Sequence, residues 1–193
     1  ARPRAPRRRT RVRAAMKVFC FAGWSGSGKT TLIEQLIPRL VARAGKVSLV
    51  KHAHHAFDVD QPGKDSWRHR QAGCTEVLVS SAHRYALMHE LRGAPELRLA
   101  DAIGLLAPCA LVLVEGYKAH PLPKLEIWRP AVGKPLLHPR DPHVLAIATD
   151  APDDLANCGL PVFRLGQLDE IATFVVEHAV SLPRGIDAPD GSE

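Results

Sequence analysis

Residues Gly23 to Thr30 read GWSGSGKT, a complete G-x-x-x-x-G-K-[ST] string between the apolar run Lys17 to Ala22 (KVFCFA) and a helix-like stretch from Thr31 to Ala44. The run is β-branched and aromatic and of strand length. The following stretch sets Leu32, Ile33, Leu36, Ile37, Leu40, Val41 and Ala44 on one helical face. Strand, glycine-rich loop and helix together make a phosphate cradle. Glycines let successive backbone N–H groups turn toward phosphate oxygens, and the dipole of the helix favours the same negative charge. In such a loop Lys29 reaches the β- and γ-phosphates and the Thr30 hydroxyl ligates Mg²⁺. Gly23, Trp24, Ser25, Gly26, Ser27, Gly28, Lys29 and Thr30 are therefore the expected nucleotide-binding residues.

The chain has 193 residues, 46% of them hydrophobic, enough for one sizeable core. No apolar run approaches the roughly 18 residues needed to cross a membrane, so the expectation is a soluble, cytoplasmic protein without a membrane partner. The formal charge of +6 invites a nucleic-acid reading. Residues 1–15 hold seven arginines and no acid, however, which leaves 19 basic against 20 acidic side chains in the remainder. The excess thus belongs to an Arg-, Pro- and Ala-rich arm, expected to be disordered, and nucleic acid is not an expected partner. Met16 directly precedes the first strand, so the arm reads as an over-extended start or a dispensable extension. Cys20, Cys74, Cys109 and Cys158 form no C-x-x-C pair, and reduced thiols are expected.

Further along, Lys46 to Val50 reads as a strand ending in Lys51 and His52. The polar stretch His52 to Gly73 carries a short helix from about Lys64 to Ala72. Thr75 to Ser81 and Tyr85 to His89 read as a hairpin. Pro95 is expected to open a helix bearing Leu99, Ile103 and Leu106. Ala110 to Val114 is a buried strand running into Glu115 and Gly116. Strands at Leu125 to Arg129, Val144 to Ala148 and Val162 to Leu165 follow, then a helix from about Asp169 to Val180. The expected fold is α/β and P-loop NTPase-like, with a mostly parallel sheet, helices on both faces and an added antiparallel hairpin; the Leu125 strand is taken as a second antiparallel addition. The expected organisation is an arm at 1–15, a single nucleotide-binding domain at 16–182 and a flexible tail at 183–193. Ligands in such sheets sit beyond the carboxyl ends of strands. This selects Gly23 to Thr30, the loop after Val50, Glu115 to Lys118, and Thr149 to Asp150.

Glu115 stands where phosphate-binding proteins place the acid that holds Mg²⁺, and the alternative is an ion pair with a neighbour such as Lys118. His52, His54 and His55 suggest a zinc site, but adjacent strand residues point to opposite faces, so contacts to phosphate or to a partner subunit rank above metal ligation. The guanine-reading N-K-x-D motif is missing. Asp150 is the best substitute, and capping by Asp150 is the competing reading.

The strings GWSGSGKTTL, KHAHHAFDVD, PGKDSWRHRQAG and LVEGYK, in this order and spacing, resemble the molybdopterin-guanine dinucleotide biosynthesis adapter family, MobB, from about Val18 to His178. The resemblance implies a homodimer that binds GTP with Mg²⁺, hydrolyses it weakly, and assists the molybdenum cofactor guanylyltransferase, the enzyme that attaches GMP to molybdopterin. Molybdopterin itself is a further partner left open. Carried onto this chain, it adds Thr31 to the nucleotide-binding residues and gives Lys29, Glu115 and Asp60 catalytic roles and Thr30, Glu115 and Asp60 the metal; Asp58 and Asp65 share the segment with Asp60, and the choice among the three stays open. Arg68 and Arg70 either neutralise phosphate or pair with Asp65. Two other functions fit the loop: a small-molecule kinase using ATP, and a binding module that uses nucleotide to order the His52 to Gly73 segment without turnover.

Overall fold

The computed structural model describes residues 16–53 and 57–182. The expectations placed on the arm at 1–15, on His54 and His55, and on the tail at 183–193 lie outside them. The chain divides into two compact units, one running to His52 and resuming at Leu99, the other spanning Ala53–Arg98.

In the first unit the apolar runs become a sheet because strands buried on both faces need no polar alternation. Strand β1 (Lys17–Ala22) is buried at every residue but Lys17, and β5 (Leu111–Glu115) throughout. With β2 (Val47–Lys51), β6 (Lys124–Ile127), β7 (Val144–Thr149) and β8 (Val162–Arg164) they form the order β2-β5-β1-β6-β7-β8, each neighbouring pair parallel. Alternation sends Phe19, Phe21, Leu111 and Leu113 to one face. There they pack with Leu32, Ile33, Leu36 and Leu40 of α1 (Lys29–Ala44) and Ile171, Ala172 and Val175 of α4 (Leu168–His178). Val18, Cys20, Val112 and Val114 face the other way, onto Leu99 and Ile103 of α3 (Leu99–Leu105). Fully burying a side chain such as Phe19 contributes about 1.5–3 kcal/mol, so the apolar stripe holds α1 together through Pro38 in its interior.

Three expectations change. The Leu125 strand is parallel, not antiparallel: β6 pairs in parallel with both β1 and β7. A parallel crossover normally takes about a dozen residues or more. Residues 116–123 suffice because β6 starts level with Cys20, near the carboxyl end of β1, so the chain need not return the length of the sheet. The antiparallel addition to this sheet is instead the short β9 (Val180–Ser181), which pairs with Lys17 and Val18. Helix α3 begins at Leu99 rather than Pro95: its buried residues, Leu99 and Ile103, lie one turn apart, whereas residues 91–98 are all exposed and have no packing to hold a helical turn.

In the second unit, α2 (Asp65–Gln71) precedes the expected hairpin of β3 (Glu76–Ser80) and β4 (Tyr85–His89), a two-stranded sheet of its own. Ser81 closes the turn: its N–H donates to Arg84 O at 2.9 Å, and its Oγ accepts from the His83 and Arg84 N–H groups, each at 3.2 Å. Arg70 organises the unit, its guanidinium donating to Asp58 at 2.7 Å, Asp60 at 3.2 Å and Glu90 at 2.6 Å.

Candidate functional site

The phosphate loop leaves β1 at its carboxyl end and feeds α1, with Gly23, Gly26 and Gly28 at φ of 149°, 81° and 91°. At Gly23 the need for glycine is steric as well as torsional, since a Cβ there would lie 2.4 Å from Ile127 O and 2.8 Å from Ser27 Oγ. The Ser27 side chain is buried, and its Oγ makes no hydrogen bond. Lys29 Nζ folds back over the loop, donating to Gly23 O at 2.8 Å and Trp24 O at 2.9 Å. Burial lowers the Lys29 pKa from its usual value; Glu115 opposes the shift, and Lys118 and Lys51 add to it. An anion would relieve both the desolvation and the crowding of positive charge.

Beside the loop, Thr30 Oγ1 donates to Glu115 Oε1 at 2.7 Å, and Lys51 Nζ lies 3.3 Å from each of these two oxygens. The ion pair of Glu115 is thus with Lys51 and not with Lys118. Lys118 stands over the Trp24 ring, 4.3 Å from its centroid, an electrostatically favourable seat for a cation. The loop that presents Lys118 is tied down from below by the fully buried Lys124, which donates to Lys118 O at 2.6 Å and to Asp141 Oδ2. In the same stretch Tyr117 has φ of 46°, a left-handed conformation costly for a residue with a side chain, and its ring lies 5.1 Å from that of His52.

The oxygens of Thr30 and Glu115 suit Mg²⁺, a hard cation that takes oxygen ligands. They already converge on a positive group, the Lys51 ammonium. Among the described residues no group of three or more His, Cys, Asp or Glu is placed to hold a metal. Of the three aspartates, Asp60 has both oxygens engaged: Oδ1 accepts from the Gln61 N–H and Ser66 Oγ, and Oδ2 from Arg70. Asp58 likewise serves Arg70, which holds its pKa below the usual value. Asp65 opens α2. The partners of Arg70 are therefore Asp58, Asp60 and Glu90, not Asp65.

At the neighbouring strand ends Asp150 pairs with Arg129, Nε to Oδ2 at 2.7 Å. Asp150 caps no helix: the 3-10 turn Pro152–Leu155 has no side-chain cap, and the Ala151 N–H before it donates to Thr149 Oγ1 at 3.1 Å. Sequence reasoning omitted the loop after β6. The buried Glu126 carboxylate accepts from the Leu137 and His138 N–H groups at 2.7 and 2.9 Å. Trp128 Nε1 donates to Lys134 O at 3.0 Å, and Trp24 Nε1 donates to Pro135 O at 2.8 Å, fastening this loop to the phosphate loop. Burial raises the Glu126 pKa, although the two N–H groups work against the rise. A carboxylate set inside an apolar strand, between Leu125 and Ile127, was the signal that could have found it.

A glycine-rich loop capping the helix that follows the central strand, with a Thr–carboxylate pair at the next strand end, places the chain in the P-loop NTPase-like class. Its relatives narrow this. The family model described as MobB, molybdopterin guanine dinucleotide synthesis protein B, matches residues 18–150. The chain is 40% identical over 163 residues to the molybdopterin-guanine dinucleotide biosynthesis adapter protein of Escherichia coli (strain K12), covering 83% of this chain and 91% of that one. The Haemophilus influenzae protein of the same description is 40% identical over 156 residues, covering 81% and 87%. A crystal structure of molybdopterin-guanine biosynthesis protein B superposes with a TM-score of 0.61 at 26% identity, covering 83% of this chain and 98% of that one. This chain belongs to the MobB family.

Proposed function

We propose that this protein is a GTP-binding adapter that assists the conversion of molybdopterin to molybdopterin guanine dinucleotide and hydrolyses GTP slowly with Mg²⁺. The observation that carries the reading is the convergence of Lys29, Thr30 and Glu115 at the phosphate loop of a chain whose relatives bear the adapter name. The loop N–H groups and Lys29 bind the triphosphate. Lys29 gives up the carbonyls of Gly23 and Trp24 to do so. Thr30 and Glu115 hold Mg²⁺, and Lys51 yields its place between them. Bound there, Mg²⁺ would neutralise charge on the β- and γ-phosphates. Asp60 acts by fixing its segment through Arg70 and Ser66 rather than as a ligand, and Asp150 contacts the guanine base.

Slow turnover follows from what surrounds the phosphates. Among the described residues the cations around Lys29 are Lys51 and Lys118, and Arg129, whose terminal nitrogen approaches Gly28, is paired with Asp150 rather than held out as an arginine finger. Sites without such groups turn over at roughly 10⁻⁴ to 10⁻² per second. The partner is the enzyme that attaches GMP to molybdopterin. The assembly is a homodimer, and the exposed Leu78, Val79, Tyr85 and Leu87 of the hairpin support an interface there. The setting is cytoplasmic, where the four unpaired cysteines stay reduced.

The test is co-purification with the GMP-transferring enzyme, with and without GTP and Mg²⁺, alongside phosphate release from GTP in the absence of an acceptor. Nucleotide-dependent capture with slow phosphate release is the expected result. Release that depends on an added small-molecule acceptor would overturn the adapter reading in favour of a kinase, and capture without turnover would reduce it to a binding module.

A further inference from the structure

We propose that Arg129 positions Asp150 to read the purine base of the bound nucleotide, so that the Arg129–Asp150 pair takes the place of the missing base-reading motif. The assignment rests on the reading that the loop holds a nucleotide, and it adds the group that makes base choice possible. Strands β6 and β7 are parallel neighbours paired Ile127 to Ala148, and Trp128 N–H continues the ladder to Ala148 O at 3.0 Å. Arg129 and Asp150 therefore emerge side by side from the carboxyl edge, where ligands of open α/β sheets bind. The guanidinium faces two ways. Its Nε donates to Asp150 Oδ2 at 2.7 Å, while one terminal nitrogen lies 3.8 Å from where a Cβ on Gly28, the residue capping α1, would stand. One planar cation thus spans from the phosphate end of the site to the carboxylate.

Asp150 is left available for recognition. It caps no helix, the Ala151 N–H being bound by Thr149 Oγ1, and among the described residues Asp150 Oδ1 makes no hydrogen bond. Guanine presents two adjacent donors, N1–H and the N2 amine, whereas adenine presents a bare acceptor at N1. A carboxylate held with one oxygen outward accepts from the first and repels the second. Holding it requires a rigid partner. The guanidinium directs Nε–H at Oδ2 in a planar group, a more directional hold than the mobile point charge of a lysine gives. The Arg129 backbone is itself fixed, because Trp128 is anchored to Lys134 O and the loop beyond to Glu126.

The test measures affinities for GTP, ATP and XTP, each with Mg²⁺, in the full chain and in R129K, R129Q and D150N, with melting curves to verify folding. In R129K and R129Q the GTP-to-ATP affinity ratio is expected to fall about tenfold, the scale of one charge-assisted hydrogen bond. R129K, which keeps the charge, guards against loss of fold in R129Q. In D150N the preference is expected to move from GTP toward XTP, because an amide can donate to the xanthine 2-oxo group. Equal weakening of GTP and ATP in both Arg129 variants overturns this assignment while leaving the nucleotide site standing. Failure of the unaltered chain to bind any of the three overturns this assignment together with the reading it rests on.

Discussion

Replacing Gly23 with alanine tests the claim that the phosphate loop is locked against the neighbouring strand. The new Cβ would meet Ile127 O at 2.4 Å and Ser27 Oγ at 2.8 Å, where ordinary contact begins at 3.4 Å, at a backbone φ of 149°. Ile127 cannot simply retreat, because it ends β6 and pairs with Ala148 of β7. Overpacking of this kind costs about 1–3 kcal/mol, and a side chain forced into a glycine-only backbone region about 1–3 kcal/mol more. At ~2–4 °C per kcal/mol for a chain of this size, the sum lowers the melting temperature by roughly 5–20 °C. Gly26→Ala is the matched control: its φ is 81° but no atom lies within 4 Å of the added carbon. That variant should cost only the torsional term of about 1–2 kcal/mol, a shift of a few degrees. Circular dichroism melts of the three proteins decide the matter. A Gly23→Ala protein that melts with the wild type, or no lower than Gly26→Ala, would refute the steric argument.

Thr30→Val removes the hydroxyl shared with Glu115, and the Mg²⁺-dependent part of GTP affinity should fall about tenfold while Thr30→Ser retains it; calorimetry across Mg²⁺ concentrations checks this, and equal losses would refute the metal assignment. Arg70→Gln should lower the urea midpoint at pH 7 by leaving Asp58, Asp60 and Glu90 facing one another. Arg70 holds Asp58 below its usual 3.8, so the pair's contribution is present above that value and is lost as pH falls through the depressed folded value. The gap between wild type and variant should therefore narrow below pH 3.8, and a constant gap would refute the pairing. Burial pushes the Cys20 thiol up to about 12, whereas Cys74 is exposed, so iodoacetamide at pH 8 should label Cys74 and leave Cys20 until the chain unfolds. Peptide mapping reads the outcome, and Cys20 labelled as fast as Cys74 would contradict its burial.

Much of the fold was legible along the chain because it follows local rules. KVFCFA became β1 with the boundaries its composition suggested, and the i, i+3, i+4 stripe gave Leu32, Ile33, Leu36 and Leu40 as the buried face of α1, though Val41 at its edge is exposed. Glu115 stood out as a candidate because a carboxylate ending an apolar strand needs a partner, although only the structure identified that partner as Lys51 beside Thr30. The direction of β6 was not legible, since a short connection from β5 reads as a reversal unless the register with β1 is known. Asp60 looked like a metal helper in an acidic segment; Arg70, ten residues on, claims it.

The sequence by itself determined the phosphate loop, the strands and helices around it, and the family, because each is written in contiguous residues or fixed short spacings. Only the tertiary structure decided which charges meet. Lys51, Thr30 and Glu115 come together from three elements, and Arg129 reaches Asp150 across two strands that are neighbours only because the sheet is ordered β1-β6-β7. An ion pair depends on separation in space, which strand order and register set and which no local pattern of residues encodes.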